Sequence, residues 1–159
     1  MSERVLYALT VLAAVGSGVM GGLMFAFSTA IMAALGRIAP ASGIAAMQAV
    51  NVVILNPLFF VAFFGPALLS VILAGAALLG WPVGSSPAIY AGAALYLVGV
   101  IGVTMMFNVP MNDALAAVDP ASGEGATVWA SYLSNWTMWN LVRVISGAAA
   151  CVAFILALR

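Results

Sequence analysis

Histidine is absent from this chain, cysteine occurs once, and only four basic and four acidic side chains are spread over 159 residues. Each shortage excludes something. Without histidine the chain lacks the usual axial ligand of haem and the usual partner in zinc, copper and non-haem iron sites, so a conventional transition-metal centre is not expected. Cys151 alone cannot close an intrachain disulfide, and it lies in an apolar run where a thiol acts as a small hydrophobe. A net charge of zero with no basic cluster removes the electrostatic footprint that nucleic-acid binding needs. Abundance lies elsewhere. With 66% apolar residues and a mean hydropathy of +1.24, a globule of this size could not hide its hydrophobic surface from water, which makes the chain an integral membrane protein.

Nearly all of the chain falls into long apolar stretches, read as one transmembrane domain over residues 1–159. Helix-period patterning and Pro/Gly punctuation predict helices over about 5–35, 44–79, 88–109 and 127–158. The second would contain Pro57 and Pro66, Pro110 would close the third, and a polar connector over 112–125 would precede the fourth. The N-terminal run is too long for a signal-peptide core and is expected to stay as a helix. Short connections predict an all-α, membrane-spanning up-down-up-down four-helix bundle. That topology gathers almost every strongly polar side chain at one end. The other end holds Glu3, Arg4 and Arg159, and the positive-inside rule then places both termini in the cytoplasm of a cell whose inner (plasma) membrane holds the protein, as in bacteria.

The fourth helix carries the strongest signal. Trp129, Tyr132, Trp136, Asn140 and Arg143 recur at spacings of three and four and share one face, which continues as Gly147 and Ala150, residues small enough for close helix packing. Counting about 20 residues back from Arg159 puts the near membrane boundary around Trp139 or Asn140, leaving Arg143 about one turn inside. A charge at the membrane centre costs about 2.5 to 3.5 kcal/mol even by the lower estimates, less when shallow, so something should compensate it. Two readings stay open. Asp113 could pair with Arg143 and make it structural, or Arg143 could face a cavity and bind an anion. The aromatics have their own bland account as an interfacial belt.

Thr104, Asn108 and Met111 or Asn112 share a face of the third helix, where Pro110 removes a backbone donor that asparagine amides could offset; a capped helix end is the plainer account of Asn112. Gln48, Asn51 and Asn56 place three carboxamides near one boundary on the second helix, a hydrogen-bonding cluster rather than lipid-facing surface. On the first helix Ser17, Gly21, Phe25 and Ser28 are read as one stripe, and Gly18 and Gly22 form a GxxxG pair explained by helix packing.

The segments "FAFSTAIMAAL" (25–35), "MQAVNVVILNPLF" (47–59), "NVPMNDALAAVD" (108–119) and "WASYL...WTMWNLVR" (129–143) resemble the anthrone oxygenase-like family of small four-helix membrane proteins. The resemblance implies a polar pocket at one interface and cofactor-independent oxygenation of anthrones or other enolisable aromatics, with Arg143, Asn140 and Asp113 as catalytic candidates. Binding of a hydrophobic or aromatic small molecule would fall to Trp136, Trp139, Asn108, Asn112, Gln48, Asn51 and Asn56, with Tyr132, Trp129 and Phe25 as flat walls. Histidine is common among such proteins where this chain has Leu141, and proline where it has Ala33. The competing expectation is a non-catalytic membrane protein whose polar mouth binds a membrane lipid, a quinone-like molecule or a partner protein. A homo-oligomer could enlarge the cavity.

Overall fold

The computed structural model describes residues 2–82 and 84–159; Met1, and Val83 within the expected connector 80–87, lie outside the described residues. Five helices follow one another: α1 Glu3–Leu35, α2 Pro40–Val53, α3 Pro57–Leu78, α4 Ser86–Ala116 and α5 Gly123–Ala157. All but α2 are long and apolar enough to cross a membrane, and they run up, down, up and down. The protein is an all-helical integral membrane protein of this class.

The expected second helix is in fact two. Asn56 breaks it: its Nδ2 donates to the Val53 and Ile54 carbonyls at the end of α2, while its Oδ1 accepts from Phe59 N at 3.0 Å and so caps α3. Pro57 then sits in the first turn of α3, where a missing N–H costs nothing. The third helix corrects in the opposite direction and continues through Pro110 to Ala116. Pro110 has no N–H and its ring crowds the turn before it; here that turn is the wider π-turn Thr104–Asn108, in which Val109 N–H reaches back to the Thr104 carbonyl. A second π-turn, Leu97–Gly102, precedes it, and a third, Phe27–Ile31, interrupts α1. The polar connector shrinks accordingly, because Ser122 caps α5 by accepting from Gly125 N at 2.9 Å and starts that helix several residues early.

At the end that holds the termini, the helices touch closely. A β-carbon on Gly147 of α5 would lie 3.2 Å from Gly21 Cα of α1, so the two backbones meet there. Gly22 of the expected GxxxG pair faces open space instead. The turn from α3 to α4 uses Gly80 and Gly84 at φ +73° and +79°, a region that favours glycine, and Ser85 N donates to the Ala157 carbonyl to fasten this turn to the end of α5. The core here is Leu6, Met20, Leu73, Ile89 and Phe154, all essentially fully buried.

At the opposite end α3 keeps to α1 and to Ser86–Gly102 of α4, leaving 104–116 largely free of it. Short α2 lies across this end against α5 and the last turns of α4. Gln48 Nε2 fixes it by donating to the Leu115 and Val118 carbonyls at 2.8 and 3.1 Å, which satisfies acceptors left open at the C-terminus of α4. Gly43 rests on the Trp129 ring, where a β-carbon would come within 2.8 Å of the indole.

Candidate functional site

The α5 stripe faces inward as its spacing requires: Trp129, Tyr132, Trp136, Asn140, Arg143, Gly147 and Ala150 are all buried. The three aromatics stack in series with ring centroids 5.7 Å apart at each step. Asn112 of α4 ties the series down, because its Oδ1 accepts from both the Tyr132 hydroxyl and Trp136 Nε1, each at 2.8 Å. It is therefore an anchor within the last turns of α4 and not a cap. Asn108, one turn below, donates to the Trp136 carbonyl at 3.2 Å and leaves its own buried Oδ1 without a partner.

Arg143 is 6% exposed and no carboxylate holds it. Its Nη1 donates to Thr104 Oγ1 at 3.1 Å and its Nη2 to Asn140 Oδ1 at 2.5 Å, while Nε–H is buried and unpartnered. The guanidinium carbon lies 5.2 Å from the centroid of the Trp136 ring, a cation–π contact. Asn140 is oriented in turn by donating to the Met24 carbonyl at 2.7 Å and to Ser28 Oγ at 2.6 Å. Ser28 lies in the π-turn of α1 with Met24 just before it, and Thr104 opens a π-turn of α4. Such turns break the 3.6-residue register and recur at functional sites. The pairing of Arg143 with Asp113 is overturned: Asp113 is exposed, and neutral side chains take the guanidinium's terminal nitrogens.

These side chains form one wall of a cavity of about 450 Å³, within the range of small-molecule sites. Thr104, Asn108, Asn112, Asn140, Arg143 and the Trp136 ring line its polar side. Facing them is an apolar side from α3, chiefly Phe59, Phe60, Phe63 and Phe64, with Met24 and Phe27 of α1. Gln48 and Asn51 reach it from α2, and Asn51 Nδ2 is buried with no partner. Asp113 is the one carboxylate among the lining residues, at an exposed edge. Among the described residues no cluster of histidine, cysteine, aspartate or glutamate gathers that could hold a metal ion.

Not every expected residue reaches the cavity. Asn56 is exposed and spends its amide on the break between α2 and α3. Trp139 is half-buried on the outside of α5, stacked on Phe107 with centroids 3.6 Å apart. Trp129 and Tyr132 lie under α2 and support the wall from behind rather than forming it. Phe25 is 55% exposed and points outward. Each i+4 step overshoots a full turn by about 40°, so two steps from Ser17 carry Phe25 off the stripe and leave Met24 on it. Leu141 is likewise exposed and off the cavity, so the leucine there removes no group from the cavity wall. The phenylalanines of α3 were the main omission; their visible sign was the doubled pattern "FFVAFF" (59–64), which puts two aromatic pairs one turn apart.

The class these features define is a small four-spanning membrane protein that keeps an uncompensated arginine at the wall of an apolar cavity. Residues 57–153 match the family model for anthrone oxygenase, more than half of the chain, and the protein belongs to that family. The match covers α3 and α4 and most of α5, including Asn108, Asn112, Trp136, Asn140 and Arg143, and stops short of Gln48 and Asn51. No curated protein and no solved structure matches the chain.

Proposed function

We propose that the cavity binds an enolisable aromatic ketone of the anthrone type and promotes its oxidation by dioxygen. The observation that carries this reading is Arg143, a buried cation whose hydrogen-bond partners are all neutral and whose cavity is otherwise mostly apolar. In such surroundings a fixed positive charge favours an oxygen that becomes negative during reaction far more than it would in water. The substrate's methylene loses a proton and the charge spreads to the ketone oxygen, which Arg143 stabilises. Asp113 or water at the exposed edge takes the proton. The enolate carbon then gives its electron pair to dioxygen, a carbon–oxygen bond forms, and loss of water leaves the second carbonyl. One ketone and one dioxygen thus give one quinone and one water. Asn140 acts as a positioning residue that aims the guanidinium.

In the membrane, the polar end would face away from the cytoplasm, with Arg4 and Arg159 on the cytoplasmic side. One observation favours the non-catalytic alternative, a site for a lipid or quinone-like molecule: apart from exposed Asp113, no lining side chain is a ready proton acceptor. Oxygen uptake by the protein in nanodiscs with anthrone separates the two. Wild type should exceed the spontaneous rate with quinone formed in step, and Arg143→Ala should lose about a hundredfold or more in kcat, the range for deleting one oxyanion donor. Full turnover by a folded Arg143→Ala protein would refute the role given to the arginine.

A further inference from the structure

The apolar wall of the cavity is also part of the protein's outer surface. Phe60 and Phe64 of α3 and Met105 of α4 line the cavity, yet they are 41%, 48% and 57% exposed. No further layer of protein separates the cavity from the lipid there. The cleft exists because α3 leaves α4 above Gly102. At the polar end, by contrast, α2 covers the bundle, with Met47 buried beneath it, Gln48 bonded to the end of α4 and Gly43 seated on Trp129. The remaining polar edge is at Asp113, suited to water and protons rather than to an apolar body.

We infer that the ligand enters sideways from the bilayer through the cleft between α3 and residues 104–116 of α4, and that it is an amphiphile. Its ketone oxygen, which becomes negative on enolisation, reaches Arg143 while an apolar tail stays in the cleft against Phe60, Phe64 and Met105. Charge complementarity fixes the direction. The buried guanidinium stands at the inner end with no carboxylate bonded to it, and the lipid-facing opening of the cleft is bordered by the apolar Phe60, Phe64 and Met105, with Asp113 on the separate polar edge. The substrate class is thereby narrowed to membrane-dissolved, chain-bearing aromatic ketones. This rests on the proposed function for the identity of that oxygen, but not for the route.

The test compares anthrone with an anthrone carrying a long straight alkyl chain, both supplied to nanodiscs holding wild type, Phe60→Trp or Met105→Trp. Both positions are exposed enough to accept a larger ring. Two quantities are read: the ratio of kcat/KM for the chain-bearing over the plain substrate, and retention of the chain-bearing compound on the purified protein. Each buried methylene is worth about fourfold in binding, so a cleft that forfeits two or three of them loses more than tenfold. Wild type should prefer the chain-bearing substrate by at least that factor, and either variant should reduce the ratio by about tenfold. An unchanged ratio in both variants, or no preference in wild type, overturns the inference. If neither substrate is oxidised, the proposed function fails by itself and retention decides the route: about tenfold weaker retention in the variants supports it, and equal retention refutes it. A copurifying phospholipid that the chain-bearing compound cannot displace also refutes it, since the cleft would then be permanently filled.

Discussion

Toward the termini the four long helices meet through glycine and alanine; toward the other end asparagine, tryptophan and phenylalanine hold them apart. In lipid there is little hydrophobic drive to press helices together, so contact depends on how closely backbones approach, and the Gly21–Gly147 crossing supplies that approach. The other end gives up this closeness. It gains a cavity, and replaces backbone contact with hydrogen bonds that run from α5 to α1 through Asn140 and to α4 through Asn112 and Arg143. One half secures the fold and the other is free to carry chemistry. This division matters more than any single residue.

Substitutions should separate the halves. The largest stability loss belongs to Gly147→Leu, whose side chain would have to occupy space held by the α1 backbone. About 3 kcal/mol, or failure to fold, is expected in thermal denaturation followed by circular dichroism in detergent. A stability equal to wild type would mean that the closed half is not what holds the bundle. Asn112→Ala comes next: it strands the Tyr132 hydroxyl and the Trp136 indole N–H, costing roughly 1 to 2 kcal/mol. It should change tryptophan fluorescence and ligand retention well before it affects the helix content. Gln48→Ala is the smallest. Freeing the Leu115 and Val118 carbonyls should cost about 0.6 kcal/mol, visible chiefly as faster amide exchange in α2 and the last turn of α4. If Gln48→Ala instead destabilised the protein as much as Gly147→Leu, the two halves would not be separable.

How far the molecule could be read from its sequence also differs between the halves. Periodicity and punctuation reveal the four spans, and the three-and-four spacing on α5 reveals its buried face down to Ala150. Asn56-Pro57 is readable in principle, since an N-cap followed by proline is a helix start, but apolar residues on both sides of it continue one helix-like pattern. The π-turns leave no such mark. They lie where α1 and α4 present Ser28 and Thr104 to residues of α5 more than a hundred or some forty positions away in the chain, contacts that local patterning does not display. Pairing Arg143 with Asp113 failed for the same reason. Charge alone predicts attraction, whereas the extension of α4 past Pro110 carries Asp113 to the exposed edge.

Because a π-turn accommodates one residue more than an α-turn, the site is tuned by chain length as well as by side-chain identity. Removing Ala30 or Met106 would let regular α winding resume and re-aim the residues wound within the turn by up to about 100°, while every polar side chain of the site remained encoded. Spacing within these segments is therefore as much a part of the cavity's geometry as arginine or asparagine.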